Sequence, residues 1–248
     1  MEIGLAGDWH GNDRWAVSVL DTFAARGVKT VYHLGDFGIW PGDGGKFYLQ
    51  KIFETCEKHG ITLWVTPGNH EDWTQIEDEK WTERQIIGGD KAKTWEVALL
   101  PRGFFWELDG VSFISLGGAP SIDFEHRSEG KSWWPEEVIE SHHLERLVKA
   151  DVMLCHDSPD GGTLQVQHII SSNPMGWSQK GLTYCAKGRN LMNQAVEIVE
   201  PKLFVHGHYH VFGYRKDEET GRQWLSLNCD GQYGNVAILD TENMHVLA

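Results

Sequence analysis

Apolar and polar positions along the chain recur with two periods. Ile3 and Leu5 alternate ahead of Gly7, the pattern of a strand running into a loop. Ala16, Val19, Leu20, Phe23 and Ala24 follow the i, i+3, i+4, i+7, i+8 spacing of one helical stripe, and Gly27 stops it. Residues 31–34 read as a short buried strand. Leu49, Ile52, Phe53 and Cys56 repeat the stripe up to Gly60, and residues 62–66 return to strand before Pro67-Gly68 turns the chain. Strand–helix–strand–helix–strand of this kind predicts a parallel sheet with right-handed crossovers.

The second half changes character. Residues 104–108 and 111–116 flank Asp109-Gly110, a strong hairpin signal. Residues 135–150 predict a helix with Pro135 in its first turn. Residues 152–155 predict a strand, 191–199 a helix and 203–205 a strand. Residues 224–227 and 236–239 are expected to close the fold as an antiparallel pair. Between them, residues 158–188 show little periodicity and are expected to form a long, partly helical loop that covers a site. No repeat or linker interrupts the chain, so its 248 residues are expected to form one domain, 1–248.

Composition narrows the class. The hydrophobic fraction is 40% and the charged fraction 23%, enough for a sizeable core without staples. No apolar run reaches eighteen residues and no basic-then-apolar leader opens the chain, so neither a spanning helix nor a signal peptide is expected. Cys56, Cys155, Cys185 and Cys229 form no C-x-x-C pair, which points to reduced thiols in a cytoplasmic protein rather than a zinc ribbon. A net charge of −14 disfavours salt-driven binding to duplex nucleic acid. Oligomeric state is left open.

Five times, a short apolar run ends in residues able to bind metal: Gly7-Asp8-Trp9-His10, Gly35-Asp36, Gly68-Asn69-His70-Glu71, His156, and Gly207-His208-Tyr209-His210. Ligand sites in α/β sheets gather beyond the carboxyl ends of strands, so these five ends are expected to converge. On extended backbone Asp8 and His10 would point to one side and share an ion, and His208 and His210 repeat that spacing. Asp36 is a lone carboxylate able to bridge two cations. Carboxylate, imidazole and amide ligands without thiolate suit borderline divalent ions, with Mn favoured and Fe, Co, Ni or Zn as alternatives.

The ordered set D-x-H, G-D, G-N-H-[DE], H and G-H-x-H resembles the calcineurin-like metallophosphoesterase superfamily, and the stretch Ser132-Trp133-Trp134-Pro135-Glu136-Glu137 resembles small bacterial or phage-encoded members. The resemblance implies an α/β fold, an αββα sandwich of two mixed sheets flanked by helices, with the metal site at the strand ends. It implies that Asp8, His10 and His210 hold a first ion, that Asn69, His156 and His208 hold a second, and that Asp36 bridges them. It places His70 beside the leaving group, with Glu71 orienting it. A hydroxide bridging the metals would then attack phosphorus in line.

Two departures matter. Gly35-Asp36 continues as Phe37-Gly38-Ile39 where the family's protein phosphatases have Asp-Arg-Gly, and Glu71 is followed by Asp72-Trp73 without an arginine. Two phosphate-holding arginines of that branch therefore lack counterparts. The expected reaction is hydrolysis of small phosphodiesters, small or cyclic nucleotides among them. A nuclease of the DNA-repair type and a broad-specificity phosphomonoesterase are the alternatives. A scaffold without catalysis fits poorly, because no predicted ligand is missing.

Other residues carry two readings. Arg127 is either a phosphate contact or one half of a surface ion pair with Glu125 or Glu129. Trp40 and Trp73 either stack on a base or pack in the core. His33 is read as core, and His206 equally as a support for the ligands or as core. His142 and His143 are read as solvated.

Overall fold

A computed structural model describes residues 1–247. One seven-stranded sheet runs in the order β13-β12-β1-β2-β3-β5-β4, from strands β1 (Glu2–Ala6), β2 (Thr30–His33), β3 (Thr62–Val65), β4 (Gln85–Asp90), β5 (Trp95–Leu99), β12 (Val236–Asp240) and β13 (His245–Leu247). A second, six-stranded sheet runs β10-β11-β9-β8-β7-β6, from β6 (Phe105–Leu108), β7 (Val111–Leu116), β8 (Val152–Cys155), β9 (Leu203–His206), β10 (Gly213–Lys216) and β11 (Gln223–Ser226). β1, β2 and β3 pair in parallel, as their spacing predicts, and β6 and β7 form the expected hairpin.

The sheets pack face to face through Leu5, Tyr32, Phe113, Leu154, Val205 and Leu225. Helices α1 (Asp13–Ala25) and α2 (Gly42–His59) cover the outer face of the first sheet through the predicted stripes, with Leu20, Phe23, Ile52 and Cys56 buried. The short α3 (Ser141–Leu144) and long α5 (Gln179–Val199) cover the second sheet. The result is an αββα sandwich of two mixed sheets. Among the described residues no helix is long and apolar enough to cross a membrane.

Several expectations are corrected. The helix expected over 135–150 shrinks to a 3-10 turn at Pro135–Glu137 and the four residues of α3. Its polar residues are spent on tertiary bonds. His143, read as solvated, is buried and lies 3.2 Å from Asp78, and Arg146 bonds the same residue. The expected pairing of 224–227 with 236–239 does not occur: β11 lies beside parallel β9 and β12 beside antiparallel β1, in different sheets. The aperiodic stretch 158–188 contains α4 (Leu164–Ser172) and the first half of α5. Gly181 and Gly188 hid that helix. A Cβ at either would collide with the loop at Pro120–Ile122, so glycine is kept there for close packing rather than for chain termination.

Candidate metal centre

All five predicted strand ends meet at one edge of the sandwich. Asp8, His10, Asp36 and His210 each offer a ligand atom, and these atoms lie within 4.8 Å of one another. Asp36 joins this group to a second one. His156 Nε2 stands 3.3 Å from Asp36 Oδ1 and 2.9 Å from Asn69 Oδ1, and the His208 ring lies 5.0 Å from that of His156. The motif glycines make this crowding possible: a Cβ on Gly68 would strike Asp36, and one on Gly207 would strike the Asp8 carboxylate.

Backbone strain collects at the same place. His10, Asp36, His208 and His210 all have positive φ, at 45°, 52°, 68° and 49°. This corrects the extended i, i+2 geometry expected for the two pairs. Asp8 and His10 still converge, but through a turn. His208 and His210 diverge, with His210 3.1 Å from Asp8 and His208 turned to His156.

The donor set fits cations. His156 Nδ1 is 2.7 Å from the Leu34 carbonyl and donates to it, so in the neutral ring Nε2 carries a lone pair. That lone pair faces two oxygen acceptors, Asp36 Oδ1 and Asn69 Oδ1, an arrangement that needs a positive charge among them. Left to themselves two of the imidazoles, those of His156 and His10, take up protons instead. Burial opposes this at His156, yet Asp36 raises its pKa to about 10; burial likewise opposes and Asp36 raises that of His10 to about 9. His208 is held in the neutral form, first by burial and then by His156.

His70 stands at the mouth, its Nε2 3.8 Å from Asp36 Oδ2 and its side chain a quarter exposed. Arg127 reaches the same ring, with Nη1 2.8 Å from His70 Nδ1, and is tied back to Asp123 rather than to Glu125 or Glu129. Trp40 is partly exposed beside them and donates its indole N–H to the His70 carbonyl at 3.2 Å.

Two site expectations fail on geometry. Glu71 has no contact with the His70 ring. It is buried and accepts from the backbone N–H groups of Phe37 (2.5 Å), Gly38 (3.3 Å) and Gly68 (2.7 Å), clamping the loops that carry Asp36 and Asn69. Trp73 is buried, donates to the Gly68 carbonyl and lies under the Arg102 guanidinium at 3.9 Å, so no base can stack on it. His33 is core, as expected, packed against Trp9 and Phe37, and His206 is buried against Phe204.

Sequence reasoning misses Asp230. Its carboxylate bonds His10 Nδ1 at 3.0 Å and Asn12 Nδ2 at 2.7 Å, which turns His10 Nε2 toward Asp36. Its only signal is an Asp-Gly turn beyond β11, with no spacing to tie it to His10.

The family model for calcineurin-like phosphoesterases matches residues 1–212. The fold is similar to the crystal structure of TT1561 of Thermus thermophilus, with a TM-score of 0.56, 11% identity, and coverage of 99% of this chain and 96% of that one. It is also similar to a dimetal phosphatase from Danio rerio, with a TM-score of 0.53, 11% identity, and coverage of 96% and 91%. At such identity the likeness is one of fold. No curated protein matches the chain.

Proposed function

We propose that this chain, which belongs to the calcineurin-like phosphoesterase family, is chiefly a dinuclear-metal phosphodiesterase for small substrates, nucleotides among them. One observation carries this reading: two clefts meet at His70 and Arg127. The first, of about 430 Å³, is lined by His10, Trp40, His70, Arg127, Lys131 and Trp134. The second, of about 450 Å³, runs under α4 and is walled by Ile122, Ile169, Ile170, Met175, Trp177 and Leu182. A phosphodiester has two arms on one phosphorus, and each arm finds a cleft. A monoester would leave one cleft empty.

Asp8, His10, His210 and Asp36 would hold one divalent ion and Asp36, Asn69, His156 and His208 the other, with Mn²⁺ the favoured metal. Bound there, the ions supply Lewis-acid polarisation of the phosphoryl oxygens and a water of lowered pKa. Arg127 contributes a further positive charge beside His70, where it can meet a phosphoryl oxygen. His70 is placed to give a proton to the leaving oxygen once it is itself protonated; burial lowers its pKa, Asp36 opposes that, and Arg127 adds to it. Trp40 offers an aromatic face to a base in the first cleft, and the wall of α4 accepts an apolar or aromatic second arm.

A panel of aryl phosphates tests the proposal. With Mn²⁺ supplied, bis-aryl diesters and cyclic nucleotides are expected to show higher kcat/KM than phenyl phosphate. A clear preference for the monoester would overturn it.

A further inference from the structure

Behind Asn69 runs a chain of buried polar groups that the metal site itself does not use. Asn69 Nδ2 donates to Ser121 Oγ at 2.9 Å, and Ser121 Oγ donates to Glu137 Oε2 at 2.7 Å. Glu137 Oε1 accepts from the Ser121 backbone N–H at 2.5 Å, Trp133 Nε1 at 3.0 Å and the Tyr184 hydroxyl at 3.3 Å. Asn69, Ser121 and Glu137 are 2%, 1% and 0% exposed, so water does not stand in for any of these partners.

We infer that Glu137 is a positioning residue for the metal site, setting through Ser121 which end of the Asn69 amide faces the ions. The inference rests on the reading of Asn69 as a ligand. A serine hydroxyl has one proton. A carboxylate at Glu137 only accepts, so the Ser121 proton is committed to it. Ser121 Oγ then meets Asn69 solely as an acceptor, and the amide must turn its NH2 outward and its oxygen toward His156 Nε2, 2.9 Å away. The two ends of an amide have nearly the same shape, so packing alone does not choose between them. Reversed, the amide would aim N–H groups at the cations and cancel a ligand. The four donors around Glu137 fit the ionised form. Burial works against them and pushes its pKa up to about 7, so the test is set at pH 8.

Glu137→Gln keeps the shape and inverts the polarity. Its amide oxygen stays with the Ser121 N–H, Trp133 and Tyr184, and its NH2 falls against Ser121 Oγ. The hydroxyl proton is released toward Asn69, which is then favoured with its oxygen facing Ser121. Titration of metal-free protein with Mn²⁺ by calorimetry, with elemental analysis of stoichiometry, reads the consequence. Wild type is expected to take up two ions. Glu137→Gln is expected to bind one of them normally and the other about 10–100-fold more weakly. Ser121→Ala, which removes the middle link and buries no new polar group, is expected to weaken the same ion. In an Asn69→Asp background both ends of the side chain are oxygens and no orientation remains to be set, so adding Glu137→Gln is expected to cause no comparable loss of affinity. Wild-type ion affinities in Glu137→Gln, or an equal loss in the Asn69→Asp background, would overturn the inference and leave Glu137 a structural residue. A wild-type protein that binds fewer than two ions would overturn the metal reading and this inference with it.

Discussion

The two halves of the candidate centre are held in different ways. In the open half, His10 and His210 have side chains 27% and 46% exposed and sit on left-handed backbone, and Asp230 aims the His10 ring by direct contact. In the closed half, His156 and Asn69 are buried, and their orientation comes from the Leu34 carbonyl, Ser121 and Glu137. The difference follows from the ligands. A charged or titratable ligand near water is drawn to a cation whichever way its neighbours lean. A buried neutral amide has no net charge to steer it, so its direction has to be imposed by hydrogen-bond polarity.

Asp36 belongs to both halves, and its loss should erase the contrast. Asn tolerates positive φ, so Asp36→Asn preserves the backbone while removing the shared charge. The expected fall in kcat/KM exceeds the roughly 100-fold limit for residues that only support ligands. Steady-state kinetics beside a thermal melt checks it, and substantial residual activity in a folded variant would locate turnover elsewhere.

The closed half should also show itself in stability. Burial raises the Glu137 pKa from 4.5 to about 7. Between those values the folded chain holds more protons than the unfolded one, so this group makes stability fall as pH rises through the window, by about 3 kcal/mol. Metal-free Glu137→Gln should lose that part of the slope. Melts of both proteins at pH 4.5 and pH 8 measure it, and parallel slopes would show that Glu137 does not titrate there.

The open half gives the smallest expected effect. Asp230→Ala should weaken one ion about 10-fold, the lower end of the range for residues behind a ligand, because His10 is partly exposed and finds water instead. If both ions weaken together in a Mn²⁺ titration, the halves are not independent and the comparison fails.

Much of this was legible along the chain, and the failures have physical causes. The helical stripes of α1 and α2 and the strands β1 to β3 are local in origin, because each element buries its own periodic face. The region 135–150 misled because its helix-like composition serves contacts with Asp78, distant in sequence. Trp40 and Trp73 follow comparable motifs, yet Trp40 lies at a cleft and Trp73 under Arg102, a distinction made by the neighbouring loops. Glu71 sits next to His70 in sequence but points at backbone on the other side.

By itself, then, the sequence determined the reaction class and the candidate metal-binding side chains, because ligand chemistry is carried by residue type and each motif follows its own strand. Only the tertiary structure decided how those ligands are aimed. Asp230 reaches His10 across 220 positions, and Glu137 reaches Asn69 through Ser121 across gaps of 16 and 52. Such supports carry no spacing rule, since any loop brought to the same edge of the sandwich can supply them.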